Sequence, residues 1–346
     1  MLNDKTILIT GGTGSFGKKC TQIILEAYHP KKLIIFSRDE LKQFEMSQRW
    51  SMKKYPCVRY FIGDVRDRFR MIRAFQDVDY VIHAAALKQV PAAEYNPAEA
   101  IKTNIMGAMN VIDAALQNNV KRVVALSTDK ACNPINLYGA TKLCSDKLFL
   151  AANVYRGRER ETTFNIVRYG NVLGSRGSVV PFFKERARTG TLPITDTRMT
   201  RYWITLDQAV HFVLHVLELN ARGAIFVPKI PSMKITDLAK AIAPECKQEM
   251  VGIRPGEKIH ETLIGEDEGR NTVEYKHCYV VWNSYSPDTG TPVFNNGGNP
   301  CPEGFKYTSD NNPDKLTVAD LRVILEKISD DYTIEKTRWS LNDVPQ

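Results

Sequence analysis

The feature that most constrains the fold of this chain is a strand-like run that leads directly into three evenly spaced glycines. Residues 6–10 are apolar or β-branched, glycines follow at positions 11, 14 and 17, and a helix-like pattern continues to about residue 28. A glycine-rich turn between a buried strand and a helix is the structural setting that binds the pyrophosphate of a dinucleotide, because the helix N-terminus attracts an anion. The predicted contacts are Gly11, Thr13, Gly14, Ser15, Phe16 and Gly17.

The alternation of strand-like and helix-like segments continues through the first half of the chain. Strand-like runs lie at 6–10, 32–36, 58–62, 79–82, 122–126 and 163–167. Helix-like segments separate them, and this alternation predicts a parallel sheet with helices on both faces. A chain of 346 residues that is 43% hydrophobic can bury the core such a sheet requires. We therefore predict an α/β protein with a doubly wound parallel sheet of the Rossmann type.

The pattern becomes irregular after about residue 169. We predict a dinucleotide-binding domain at 1–169, completed by parts of 204–222. In 170–284, loops rich in Gly, Pro and Arg alternate with short strands. We assign this smaller region mainly to substrate binding and expect it to be interleaved with the larger domain.

The C-terminal part of the chain has a different composition. Residues 285–313 are rich in Gly, Asn, Pro and Asp, which predicts a long loop or a partly disordered linker. A helical pattern follows at about 317–328. We describe 285–346 as a loop-rich extension with a final helix that docks on the rest of the protein.

Residues at the predicted strand ends indicate which dinucleotide binds. The second strand ends in Ser37-Arg38, and an Arg at this position suits the 2′-phosphate of NADP, whereas an acidic residue there suits NAD. Asp39 follows and fits the N-cap of the next helix. We therefore predict NADP as the cofactor. Further expected contacts are Ser37, Arg38, Asp64, Val65, Ala85 and Asn104.

Two short clusters carry the predicted chemistry. Tyr138 and Lys142 lie four residues apart, so they share one helix face, and a neighbouring ammonium lowers the pKa of a Tyr toward the working range. Such a Tyr can take a proton from an alcohol. Asp129 and Lys130 lie just upstream, and burial would favour a protonated Asp and a neutral Lys as an acid-base pair. The competing interpretation is a structural ion pair at the end of a strand.

Composition excludes several other classes of protein. The net charge is +8 (47 basic less 39 acidic residues), but the sequence contains no dense basic run and no nucleic-acid motif. We therefore expect no nucleic-acid partner. No apolar run is long enough to span a bilayer, and we expect neither membrane association nor a signal peptide. Seven scattered cysteines without CxxC spacing favour a cytoplasmic location. His211 and His215 lack a third ligand, so we expect no metal.

Taken together, these motifs resemble the extended short-chain dehydrogenase/reductase family. More narrowly, the chain is similar to the soluble inverting UDP-N-acetylglucosamine 4,6-dehydratases, which make the first intermediate of pseudaminic acid. The resemblance covers roughly the first three-quarters of the chain. The matching stretches are Thr10 to Gly17, Ser37 to Glu40, His83 to Pro97, Ser127 to Lys147, Arg168 to Phe183, Ile194 to Trp203 and Gly252 to Glu261.

The resemblance implies roles for particular residues and a homo-oligomer that acts on a UDP-sugar. Tyr138 and Lys142 would be the redox pair, and Thr128 would hydrogen-bond a sugar hydroxyl. Asp129 and Lys130 would carry out the elimination, in which water leaves and C5 is inverted. Lys88 would lie near the sugar or the cofactor. The implied substrate contacts are Lys88, Asn171, Val179, Thr195, Arg201, Arg254 and Glu257.

Other activities on the same fold stay open at this point. Retaining dehydratases carry Asp-Glu where this chain has Asp129-Lys130, and a nucleotide-sugar 4-epimerase needs the Tyr-Lys pair without an elimination pair. A non-catalytic dinucleotide-binding regulator could keep the glycine turn and lose Tyr138 or Lys142, but this chain has both.

Overall fold

The structure, a computed structural model, describes residues 2–157, 160–175, 178–219, 221–283 and 297–329. The strands are β1 (Thr6–Thr10), β2 (Lys32–Ser37), β3 (Val58–Ile62), β4 (Tyr80–His83), β5 (Arg122–Thr128), β6 (Thr163–Tyr169), β7 (Asn171–Val172), β8 (Thr191–Ile194), β9 (Thr200–Ile204), β10 (Ala224–Pro228), β11 (Ser232–Lys234), β12 (Lys247–Met250), β13 (Thr262–Ile264), β14 (Thr272–Glu274), β15 (Cys278–Trp282), β16 (Asn299–Pro300) and β17 (Tyr307–Thr308).

Helices connect these strands. They are α1 (Ser15–Ala27), α2 (Glu40–Arg49), α3 (Arg68–Ala74), α4 (Val90–Tyr95), α5 (Pro97–Ile101), α6 (Gly107–Gln117), α7 (Leu137–Tyr155), α8 (Val179–Arg186), α9 (Leu206–Glu218), α10 (Ile235–Ile242), α11 (Glu266–Gly269) and α12 (Val318–Ser329). A π-helical turn at Lys102–Met106 precedes α6, and 3₁₀ turns lie at Asp129–Ala131 and Ala187–Thr189.

The large sheet has the order β16-β14-β15-β10-β6-β5-β4-β1-β2-β3. Strands β1 to β6 and β10 pair in parallel. The chain adds strands on one side of β1 up to β3 and then on the other side from β4 onward, which is the doubly wound arrangement. The predicted fold class is therefore confirmed. Every residue of β1 and β6 is buried, as expected for strands covered by helices on both faces.

Predicted element boundaries agree closely with the observed ones in the first half of the chain. The six predicted strands correspond to β1 to β6, whose ends shift by at most two residues, and α12 lies where the final helix was predicted. The Asp39 side chain accepts a hydrogen bond from the backbone N–H of Lys42 at 3.0 Å, so Asp39 is the N-cap of α2 as predicted.

The chain after residue 169 contributes more to the large sheet than the predicted domain limits imply. Strands β10, β14, β15 and β16 all join this sheet, so segments outside 204–222 also complete it. A second hydrophobic cluster, centred on Phe183, Trp203 and Leu238, also receives Leu321 and Leu325 of α12. The predicted final helix therefore packs on the smaller region.

Parts of the predicted C-terminal loop form short pairs of strands. β16 extends the large sheet and β17 pairs with β13. Residues 285–296 of the predicted loop and 330–346 of the predicted extension lie outside the described residues. Within the described part of the chain, no helix has the length and apolar character needed to cross a membrane.

Candidate active site

A cavity of about 720 Å³ opens at the carboxyl ends of the parallel strands. The segments that follow β1, β2, β3, β4, β5 and β6 all contribute to its wall, because the carboxyl ends of parallel strands meet at one edge of the sheet. The predicted site residues in the wall are Gly11, Thr13, Gly14, Ser15, Phe16, Gly17, Ser37, Arg38, Asp64, Val65, Ala85, Lys88, Thr128, Asp129, Lys130, Tyr138, Lys142, Asn171, Val179, Arg201, Arg254 and Glu257.

The glycine turn has a shape that fits a dinucleotide. A Cβ atom on Gly17 would lie only 2.3 Å from the carbonyl oxygen of Gly12, so the close approach of α1 to the turn requires glycine there. Gly14 is the N-cap of α1 and provides no side-chain cap, and the first turn of the helix contains no acidic residue. The positive end of the helix dipole therefore faces the cavity without a carboxylate nearby on its own helix, which suits a phosphate group.

The ends of β2 and β3 provide a second group of polar side chains. The hydroxyls of Thr13 and Ser37 lie 2.8 Å apart and join the glycine turn to β2. The Arg38 side chain is 56% exposed, and its Nη1 lies 3.8 Å from Oδ2 of Asp64. An exposed guanidinium at this strand end is free to turn toward an anionic group in the cavity.

Asn104 lies behind the cavity wall and not in it. Its Oδ1 accepts a hydrogen bond from the backbone N–H of Leu87 at 2.8 Å, and its Nδ2 donates to the carbonyl oxygen of Leu87 and to the hydroxyl of Thr141. The predicted cofactor residue Asn104 thus ties the loop of Ala85 and Lys88 to helix α7. This contact is made from a π-helical turn, an irregularity common at functional sites.

Helix α7 carries both members of the predicted redox pair. Its N-cap Asn136 accepts a hydrogen bond from the backbone N–H of Gly139 at 2.8 Å and also donates to the carbonyl oxygen of Gly256. The helix start is therefore fixed to the loop that contains Arg254. Tyr138 and Lys142 are buried one turn apart on this helix, and both line the cavity.

Gly139 allows the two predicted catalytic clusters, Asp129-Lys130 and Tyr138-Lys142, to lie side by side. A Cβ atom at this position would lie 2.1 Å from the carbonyl oxygen of Lys130 and 3.0 Å from Cβ of Pro134. Only glycine permits this contact between α7 and the 3₁₀ turn at Asp129–Ala131. The residue therefore sets the distance between Tyr138 and Lys130.

The pKa of Tyr138 is shifted in the direction opposite to the sequence prediction. Burial raises the pKa of Tyr138 to about 12, although the charge of Lys130 and a hydrogen bond with Thr128 act in the opposite direction. A neighbouring ammonium, that of Lys130, does act to lower this pKa, but the predicted net lowering is wrong. The cost of burying a phenolate outweighs the benefit of the nearby charge, and burial also lowers the pKa of Lys142.

Asp129 and Lys130 form an ion pair together with a third, unpredicted residue, Glu261. Lys130 Nζ lies 3.1 Å from Oδ1 of Asp129 and 3.2 Å from Oε1 of Glu261. Asp129 is fully buried and Glu261 is 2% exposed. The lysine thus lies between two buried carboxylates at the wall of the cavity.

These contacts confirm one expected pKa shift and contradict the other. Burial, reinforced by the charge of Glu261, raises the pKa of Asp129, as predicted for a proton donor. Burial alone would lower the pKa of Lys130, but Asp129 and Glu261 outweigh it and raise that pKa. Burial therefore acts on the pKa of Lys130 in the predicted direction, but the two carboxylates, of which the prediction did not include Glu261, leave this pKa raised.

Arg201 and Thr195, two predicted substrate contacts, already have protein partners. The terminal nitrogens of Arg201 donate to the carbonyl oxygens of Thr200, Lys258 and Ile259, and Nη2 also lies 3.4 Å from Glu257. Arg201 lines the cavity, but its hydrogen bonds organise the segment around residue 258. Thr195 donates to Sδ of Met199 and does not line the cavity.

Several polar atoms in the cavity wall are buried without a partner among the described residues. They are Oδ2 of Asp129, Oδ1 of Asn171, Oγ of Ser178, Oε2 of Glu257 and Oε2 of Glu261. Buried oxygens in native proteins are nearly always hydrogen-bonded to protein or water, so these atoms can accept hydrogen bonds from a polar ligand or from water in the cavity. In the described part of the chain, no three His, Cys, Asp or Glu side chains are grouped to hold a metal ion.

The sheet order, the glycine turn and the Tyr138–Lys142 helix define an extended short-chain dehydrogenase/reductase. The chain belongs to the polysaccharide biosynthesis protein family, whose family model matches residues 7–283. This result confirms the resemblance seen in the sequence.

Individual relatives are consistent with this family. A UDP-N-acetylglucosamine 4,6-dehydratase (inverting) from Campylobacter jejuni is 58% identical over 320 residues, which cover 90% of this chain and 95% of that protein. A UDP-glucose 4-epimerase from Rickettsia canadensis is 44% identical over 276 residues, covering 78% and 80% of the two chains. The X-ray structure of Pen from Bacillus thuringiensis matches with a TM-score of 0.85 and 36% identity, covering 94% of this chain and 99% of that one.

Proposed function

We propose that this protein dehydrates UDP-N-acetylglucosamine with NADP as cofactor and inverts the configuration at C5. The product would be UDP-2-acetamido-2,6-dideoxy-β-L-arabino-hexos-4-ulose, in the first step of pseudaminic acid biosynthesis. The observation that carries the proposal is the Asp129–Lys130 pair, which opens onto the same cavity as Tyr138 and Lys142. The 58% identity to the Campylobacter jejuni enzyme of that name, over nearly its whole length, supports the same assignment.

The glycine turn and the end of β2 support the choice of cofactor. The cradle in which a Cβ on Gly17 would clash fits a pyrophosphate, and the exposed guanidinium of Arg38 is available for a 2′-phosphate. A nicotinamide cofactor held by the glycine turn and Arg38 would supply reversible hydride transfer between C4 and C6 of the sugar. Because the cofactor is regenerated, no external oxidant is consumed.

Residues of the chain supply the proton transfers. Tyr138 acts as a phenolate, which Lys142 one helical turn away stabilises, and it becomes neutral when it takes the proton of the C4 hydroxyl that Thr128 orients. The ketone at C4 makes the proton on C5 acidic. Lys130 removes this proton and Asp129 protonates the departing C6 hydroxyl.

The elimination requires a neutral Lys130 and a protonated Asp129, whereas the resting pair is ionic. Transfer of one proton from Nζ of Lys130 to Oδ1 of Asp129, across 3.1 Å, produces both forms at once. The raised pKa of the buried Asp129 acts in favour of this transfer, and the raised pKa of Lys130 acts against it. After elimination a proton returns to C5 on the opposite face, which gives the inverted product.

The region at 170–284 contributes most of the UDP-sugar contacts in this proposal. Arg254, whose guanidinium geometry matches phosphate oxygens, would bind the diphosphate together with Arg201 and Asn171. Glu257 would accept hydrogen bonds from ribose hydroxyls, and Val179 would contact the sugar or the uracil. Residues 1–169 would bind the cofactor. We further propose that the enzyme is a cytoplasmic homo-oligomer.

A second candidate function is 4-epimerisation of a UDP-sugar. It is favoured by the 44% identity to the Rickettsia canadensis protein named UDP-glucose 4-epimerase. An epimerase needs the Tyr138–Lys142 pair but has no use for an acid-base pair aimed at C5 and C6. The buried Asp129–Lys130 pair therefore favours the dehydratase.

Incubation with UDP-N-acetylglucosamine in D₂O tests the proposal. We expect a product that has lost one water molecule by mass spectrometry, carries deuterium at C5 and has the L-arabino configuration by NMR. A product of unchanged mass epimerised at C4 would establish the epimerase instead. Loss of water with the D-configuration at C5 would refute the inversion.

A further inference from the structure

Glu261 contacts the base of the proposed elimination although no motif singled it out. Its Oε1 lies 3.2 Å from Nζ of Lys130 and 3.5 Å from Nε of Arg201. Burial alone would raise the pKa of Glu261, but the charges of Lys130, Arg201 and Lys258 lower it below its usual value. Glu261 is therefore a buried anion at neutral pH, directly against the catalytic lysine.

The position of Glu261 is fixed through its backbone by a residue of the C-terminal segment. The Glu261 N–H donates to Oγ of Ser309 at 2.9 Å, and the Ser309 N–H donates to the Glu261 carbonyl oxygen at 2.9 Å. The Ser309 hydroxyl also lies 2.6 Å from that of Thr200, beside Arg201. Ser309 is fully buried. Three segments far apart in the chain thus hold this carboxylate in one place.

Several charged or titratable groups surround the acid-base pair. They are Lys88 after β4, Tyr138 on α7, Arg201 and Tyr202 on β9, and Lys258 and Glu261 in the segment before β13. Of the three cations, Lys88 and Arg201 act against a charged Lys130, and Lys258 acts on Glu261. Within this group Glu261 is the carboxylate, besides Asp129, that contacts Nζ of Lys130.

We infer that Glu261, braced by Ser309, is a positioning residue that holds Lys130 against Asp129 and sets the number of protons on this pair. The inference rests on the proposed function, which assigns the acid-base steps of the elimination to Asp129 and Lys130. The negative charge of Glu261 favours the protonated form of both partners, since it raises the pKa of Asp129 and that of Lys130. The pair keeps one shared proton, which the reaction then moves from Lys130 to Asp129.

The test compares pH profiles of water loss for the intact protein and for Glu261→Gln. Gln keeps the size of the side chain and removes the charge, so both macroscopic pKa values of the pair fall. We expect both limbs of the bell-shaped profile to move to lower pH by about one unit, the usual effect of one charge at this distance. Glu261→Asp, which retains the charge, is expected to leave the limbs near their original pH.

Glu257→Gln is the matched control. Glu257 contacts the same Arg201 at 3.4 Å, and Lys130 is not among its described partners. This variant is expected to raise the KM for the UDP-sugar and to leave both limbs in place. A uniformly lower rate in Glu261→Gln with unmoved limbs would mean a merely structural role and would overturn the inference.

Two further measurements test the inference if Glu261→Gln does not fold or if the proposed function is wrong. Ser309→Ala keeps the charge and releases the brace, and we expect a smaller shift of both limbs in the same direction. Lys130 can also be titrated by NMR of isotope-labelled lysine without any substrate, with the peak assigned by its loss in Lys130→Met. We expect a lower pKa for Lys130 in Glu261→Gln. An unchanged pKa would overturn the inference, whereas a wild-type protein that releases no water would reject only the proposed function.

Discussion

Replacing Gly139 by Ala should separate the two proposed catalytic clusters, Asp129-Lys130 and Tyr138-Lys142. The new Cβ would lie 2.1 Å from the carbonyl oxygen of Lys130, whereas 3.4 Å is the start of ordinary contact, so the two backbones must move apart by about 1.3 Å (3.4 less 2.1). The atom that is met belongs to the backbone and cannot rotate away. The shift enters directly into the geometry between Tyr138 and Lys130.

A displacement of this size has a large expected effect on turnover. A misplacement of about 1 Å commonly costs about 10²-fold in rate, which corresponds to about 2.7 kcal/mol in the activation free energy. Overpacking should also lower the free energy of unfolding by about 1–3 kcal/mol. The measurements are kcat for water loss from UDP-N-acetylglucosamine and thermal unfolding of the same preparation.

Ala140→Gly is the control for loss of stability alone. It lies next to Gly139 on α7, costs about 1 kcal/mol in helix stability and adds no atom near Lys130. We expect a lower Tm and a rate close to that of the wild type. If folded Gly139→Ala turns over within about threefold of the wild type, the contact does not position the acid-base pair, and the reasoning from this glycine is refuted.

Three other predictions concern the mechanism, the cofactor and the substrate. In Lys130→Ala, water loss and deuterium uptake at C5 should fall by about 10²- to 10⁴-fold, while reduced cofactor still accumulates in a single turnover. Tyr138→Phe should abolish both the dehydration and the accumulation of reduced cofactor. Normal dehydration by Lys130→Ala would show that another group is the base. Arg38→Ala should weaken binding of NADP(H) far more than that of NAD(H) in titrations by calorimetry, and equal affinity of the wild type for both would contradict the choice of NADP. UDP should raise the Tm by mass action and free N-acetylglucosamine should not, so protection by the free sugar alone would speak against a nucleotide-sugar site.

The sequence was sufficient for the features that depend on local pattern. The glycine turn at Gly11 to Gly17, the parallel strands and the N-cap at Asp39 follow from residue types at short spacing, and the structure has them where they were predicted. The helix with Tyr138 and Lys142 on one face follows in the same way, because the helical period brings residues four apart together. Strand ends of a parallel sheet meet at one edge, so the location of the cavity was also predictable.

Only the tertiary structure decided which charges surround Asp129 and Lys130, the proposed acid-base pair. Glu261 reaches Lys130 because β13 and Ser309 bring it there, and Arg201 forms hydrogen bonds with the segment around residue 258. These contacts join segments far apart in the chain, and no local pattern encodes them. A pKa depends on burial and on every nearby charge, so the raised pKa values of Tyr138 and Lys130 emerged only once the whole fold had placed those charges.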